Sequence, residues 1–133
     1  MFKYFRLIPI SFFVIVVLLM GCKSKSSEEC IAPAIDKNLV GTWKAVVIED
    51  GDESGKGTLT FNTDGTINDP QNLFLGSPVS KTTWKVVGGD VEATFNKAAG
   101  SVSYVSFTFK VKENTCTKIV LDVFGLYSVE LTK

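Results

Sequence analysis

From residue 39 to the end of the chain, apolar and polar side chains alternate in short runs, with a period of two rather than 3.6. The runs are rich in Val, Phe, Thr and Tyr, types that suit a pleated surface with one buried face. They predict strands over residues 42–49, 57–62, 66–68, 82–87, 91–96, 102–112, 118–124 and 126–132. Turn chemistry separates them: Asp64-Gly65 and Gly88-Gly89 suit two-residue hairpins, and Glu113-Asn114 begins a third. Eight strands joined mostly by short hairpins imply an antiparallel meander, which removes its exposed edges by closing on itself. The expected fold class is all-β, a small eight-stranded antiparallel up-and-down barrel.

Alternation then sorts the side chains. If Trp43 points inward, so do Ala45, Val47 and Glu49; the same rule turns Leu59, Phe61, Trp84, Val86, Val91, Ala93 and Phe95 inward. The later strands add Val105, Phe107, Phe109, Val111, Ile119, Leu121, Val123, Tyr127, Val129 and Leu131. Large aromatic side chains consume much of the interior of so small a barrel, so a packed core is expected, with at most a shallow cavity near one mouth. Counting alternate strand ends puts the start of the first strand, the turns at Asp64, Gly88 and Cys116, and Lys133 at one end. The other end collects an acidic loop at 50–55, a long loop at 69–80 and a short one at 97–101.

The first 38 residues have a different character. Lys3 and Arg6 precede an apolar run over residues 7–20, interrupted by Pro9 and Ser11. The run falls short of the about 20 apolar residues that span a ~30 Å hydrocarbon core, and so reads as a signal-peptide segment rather than a retained membrane helix. It ends in Leu19-Met20-Gly21-Cys22, which resembles the lipobox of bacterial lipoproteins. The resemblance implies cleavage before Cys22, lipidation of Cys22, and anchoring at the outer membrane, on its periplasmic face or at the cell surface. Residues 1–21 are then signal peptide, 22–38 lipid anchor and tether, and 39–133 the barrel domain. The tether opens with Lys-Ser-Lys-Ser-Ser-Glu-Glu, which has nothing to bury.

Charge and chemistry narrow the function. The leader carries two of the 14 basic residues and none of the 14 acidic ones, which leaves a net charge of −2 on a mature chain without arginine. Nucleic acid is not an expected partner of such a chain. With Cys22 lipidated, Cys30 and Cys116 remain as an even pair in a compartment that tolerates disulfides, and strand counting puts both at the same end. The alternative is two free thiols. The chain has no histidine, the usual general base and zinc ligand, and of its mid-strand carboxylates only Glu49 faces inward. No enzyme, cofactor or metal is therefore expected. Asp50-Gly51-Asp52-Glu53-Ser54-Gly55 matches the opening of a calcium loop, but Phe61 stands where the bidentate glutamate belongs, which favours a solvated acidic turn.

Leu39-Val40-Gly41-Thr42-Trp43 resembles the Gly-x-Trp start of a lipocalin-type barrel. With the hairpin Thr58-Leu59-Thr60-Phe61-Asn62-Thr63-Asp64-Gly65-Thr66, it is similar to lipocalin-like domains of envelope lipoproteins over residues 39–133. The resemblance implies that Trp43 plugs the closed end and that a small apolar ligand enters the opposite mouth. Lipocalins usually stack an arginine over that tryptophan, and Lys133 is the available substitute here. The expected ligand-binding residues are Leu73, Phe74 and Leu75 of the long loop with Trp84, Phe95 and Glu49. Two functions follow: a membrane-anchored carrier of a small apolar ligand, or a protein-binding or inhibitor module of the envelope. A cavity at the mouth favours the first, and a filled interior with ordered, protruding loops the second.

Overall fold

The computed structural model describes residues 30–97 and 104–133. The leader, Cys22, the tether up to residue 29 and most of the expected 97–101 loop lie outside the described residues.

A single turn of helix, α1 (Ile35–Asn38), leads into eight strands: β1 (Gly41–Glu49), β2 (Asp52–Phe61), β3 (Thr66–Asn68), β4 (Lys81–Val87), β5 (Asp90–Asn96), β6 (Tyr104–Asn114), β7 (Lys118–Val123) and β8 (Tyr127–Thr132). Each strand pairs antiparallel with the next, and β8 pairs with β1 to close the barrel. The expected all-β, eight-stranded up-and-down barrel is the observed one.

Two turns differ from the sequence reading. Asp50 and Gly51 both take left-handed backbone angles, φ +52° and +88°, the conformation of a two-residue hairpin turn whose twist matches the flanking strands. Glu49 therefore pairs directly with Asp52, and residues 52–55 belong to β2 rather than to an acidic loop. No loop is left there to wrap a cation. Likewise Glu113 and Asn114 stay in β6, opposite Val120 and Ile119, and the turn falls at residues 115–117, where Thr115 Oγ1 accepts a hydrogen bond from the Lys118 amide at 2.9 Å.

The core follows the expected alternation. Trp43, Leu59, Phe61, Phe95, Phe109, Ile119, Leu121, Val129 and Leu131 are all at most 1% exposed. Trp43 closes one end: its Nε1 donates to the Leu39 carbonyl at 2.8 Å, and Lys133 Nζ lies 4.7 Å from its ring centroid, the cation expected over this ring in the absence of an arginine.

Residues 30–38, expected to belong to the tether, are fastened to this closed end. Asn38 Nδ2 donates to Asn114 Oδ1 at 2.7 Å and to the Thr115 carbonyl at 2.8 Å, and Asn114 Nδ2 donates to the Pro33 carbonyl at 2.9 Å. Cys30 and Cys116 form a disulfide across a sequence separation of 86, with their Cα atoms 6.2 Å apart. A cross-link over so long a loop restricts the unfolded chain, and removing it from a small domain costs about 2–5 kcal/mol. The paired variant Cys30→Ser/Cys116→Ser should therefore melt well below the parent in a thermal scan; an unchanged midpoint would contradict this role.

Candidate functional site

The end remote from the disulfide is built differently. Here the chain crosses the barrel mouth between β3 and β4, and the crossing is ordered by its own side chains. Asp69 accepts from the amides of Leu73 at 2.9 Å and Phe74 at 3.1 Å, and the Gly76 amide donates to the Asn72 carbonyl at 2.7 Å. Gln71 Oε1 accepts from the Thr58 amide at 3.1 Å, ties the crossing to β2, and lies over the open face of Gly57. A Cβ at Gly57 would stand 2.6 Å from that oxygen, so a larger residue there would displace the Gln71 side chain from its contact with Thr58.

Phe74 hangs from this crossing into the barrel. It is 5% exposed, with its ring centroid 5.7 Å from that of Phe95 and 5.2 Å from that of Phe109. Tyr127 Oη donates to the Phe74 carbonyl at 3.3 Å and so holds the cap from the β8 side. The interior is thus occupied from Trp43 at one end to Phe74 at the other.

Above the cap lies an open cleft of about 400 Å³, lined by Val47, Glu49, Ser54, residues 73–76, Phe107 and Tyr127. Of the residues expected to bind a ligand, the structure brings Glu49, Leu73, Phe74 and Leu75 together here. Phe95 is not among them: at 1% exposure it lies in the core against Phe74 and Phe107. Trp84 is also elsewhere. It packs edge-on against Phe61 at 5.6 Å, and its Nε1 donates to the Asn62 carbonyl at 3.2 Å, beside the Asp64-Gly65 turn.

The residues that the sequence reading missed here are Val47, Ser54, Gly76, Phe107 and Tyr127. Alternation turned Val47, Phe107 and Tyr127 inward without giving their height in the barrel. Ser54 is the extra residue of a β-bulge: β1 pairs Val47 with Gly55 and then Ile48 with Glu53. Recognising Asp50-Gly51 as a turn would have put Ser54 near the rim.

The cleft carries modest electrostatics. Burial, and then the Glu49 carboxylate, push the Tyr127 hydroxyl above its ordinary pKa. Among the described residues no group of three or more Cys, Asp or Glu side chains is arranged to hold a metal ion.

No family model, curated protein or solved structure matches the chain.

Because the folded state raises the Tyr127 pKa, its contribution to stability is complete below pH about 10 and is lost as pH rises through the folded-state value. Tyr127→Phe should therefore reduce the loss of stability between pH 9 and 11.5, measured by denaturant titration. It should also cost about 1 kcal/mol at neutral pH through the lost hydrogen bond to Phe74. Equal alkaline sensitivity in the two proteins would remove Tyr127 from this account.

Proposed function

We propose that the chain is a lipid-anchored envelope protein whose barrel is a binding module for a protein partner, engaged at the end remote from the anchor. The observation that carries this reading is the turn between β7 and β8. Phe124 adopts φ +52°, a left-handed conformation that costs an ordinary L-residue about 1–2 kcal/mol. Its side chain is nonetheless 71% exposed, and Leu126 beside it is 68% exposed. Two large apolar groups displayed to water, one of them on a strained backbone, contribute little to the barrel's own packing. They suit a surface kept ready for a partner. The filled interior and the ordered mouth crossing support the same reading.

Anchoring is supported by the leader and by Leu19-Met20-Gly21-Cys22, which make Cys22 the lipid-bearing residue. Membership of the lipocalin-like domains is supported by Gly41 and Trp43 at the start of an eight-stranded barrel and by Lys133 over the tryptophan ring. The second reading, a small apolar ligand, is favoured by the cleft. Its about 400 Å³ lies within the range of ligand pockets, with Leu73, Phe74 and Leu75 as an apolar floor and Glu49 as a polar handle.

The test uses a benzophenone photo-cross-linker at position 124 in the membrane-bound protein. Irradiation should yield a discrete protein adduct of a chain that begins at acylated Cys22, and none when the cross-linker stands at position 44, near the closed end. Phe124→Asn should relieve about 1 kcal/mol of backbone strain, raising the melting temperature by roughly 4–8 °C, while competing poorly for the partner. Absence of an adduct, with a small apolar molecule retained in native mass spectrometry, would establish the second reading instead.

A further inference from the structure

We infer that the upper half of β6 is a docking edge for an extended segment of the partner, which adds to the barrel as a further strand beside Tyr104, Ser106 and Thr108. The inference rests on the reading that the far end binds a protein, and it names the chemistry of that partner.

The barrel wall is uneven. β6 has 11 residues and β7 has six, and their pairing begins only at Lys110 opposite Asp122. From that point down, residues 110–114 run alongside β7. Above it, residues 104–109 pair with β5 alone.

The backbone direction on this stretch follows from one contact. The Val111 amide donates to Asp90 Oδ1 at 3.2 Å, on the β5 side. In a strand successive residues alternate, so Val105, Phe107 and Phe109 also turn their N–H and C=O toward β5, and Tyr104, Ser106 and Thr108 turn theirs away. The 2.8 Å contact between the Thr94 and Ser106 hydroxyls fits the closer side chains of a pair that does not exchange backbone hydrogen bonds. Among the described residues, no backbone group bonds to that outer edge.

Burial marks where the wall stops. Phe109, level with the last residues of β7, is 0% exposed, whereas Val105 and Phe107 point inward yet stay only half-buried. The edge also lacks the usual protection: Tyr-Val-Ser-Phe-Thr-Phe, residues 104–109, contains no proline and no charge. From Tyr104 to Thr108 it runs about 14 Å, enough for a short ladder.

A strand added there would continue the wall above the β7–β8 turn, with exposed Phe124 and Leu126 at its foot. Its inward side chains would face the cleft lined by Phe107, Leu75 and Tyr127, and a cationic side chain would meet Glu49 on the opposite rim. The occupant is therefore an extended peptide segment with apolar residues at alternate positions and a lysine or arginine, bound by strand addition.

The test selects binders from a random-peptide library displayed on phage against the full membrane-extracted chain. Selected peptides should be apolar at alternate positions. N-methylation of alternate amides along one edge should weaken binding about tenfold or more, and along the other edge should not. Ser106→Pro removes an edge donor the barrel does not use, a change that edge strands tolerate. It also removes the Ser106 hydroxyl that meets Thr94, so the barrel should melt somewhat lower but stay folded, and peptide affinity should fall by a similar factor. If Ser106→Pro fails to fold, the methylated peptides decide on the unaltered protein. No enrichment, or equal binding by peptides methylated on either edge, would overturn strand addition. A dimer of this chain dispersed by Ser106→Pro would overturn it too, since the edge would then belong to a second copy. If any of these occurs while the position-124 adduct persists, the protein-partner reading stands and the strand fails; loss of the adduct removes that reading itself.

Discussion

The pairing of β8 with β1 is the constraint on which everything else depends. Six register pairs, from Lys44 with Thr132 to Glu49 with Tyr127, join the ends of the meander. Without them the sheet would have two open edges and no inside. With them every strand acquires an inner and an outer face, so a period of two in the sequence becomes the difference between core and surface. The same closure sets Tyr127 opposite Glu49, where one residue caps the core and the other meets the cleft.

Closure does not make the two ends alike. One end is locked by covalent and polar contacts: the Cys30–Cys116 disulfide, the hydrogen bonds joining Asn38 to Asn114, and Trp43 between the Leu39 carbonyl and Lys133. The other end is stoppered by one aromatic side chain, Phe74, carried on a crossing segment. There the strands stop at different heights, and the wall is incomplete wherever a long strand outruns its neighbour. Stability is concentrated at the first end, while exposed apolar side chains and, among the described residues, backbone groups without partners are concentrated at the second. That division is the physical basis for placing binding at the mouth.

Much of this was legible in the sequence, and the failures have identifiable causes. Alternation found all eight strands and the inward residues, and counting strand ends brought Cys30 to Cys116. The Asp50-Gly51 turn carried a plain hairpin signal, but Asp52, Glu53 and Ser54 are polar on both faces because β2 rises beyond the wall, and such a strand looks like a loop. Alternation gives the face of a side chain and not its height, which is why Trp84 and Phe95 are expected among the ligand-binding residues yet lie away from the cleft. The descent of Phe74 into the barrel is a tertiary event, set by Asp69, Gln71 and Tyr127 acting together, and no local pattern encodes it.

The account turns on an interior already full and a wall that ends partway up β6. Amide hydrogen exchange of the free protein, resolved by residue, tests this most directly. The account predicts alternation along one strand: fast exchange at Tyr104, Ser106 and Thr108, whose amides face away from β5, and slow exchange at Val105, Phe107 and Phe109. Uniform protection across all six would mean that the edge is already covered, and the proposed docking surface would not exist.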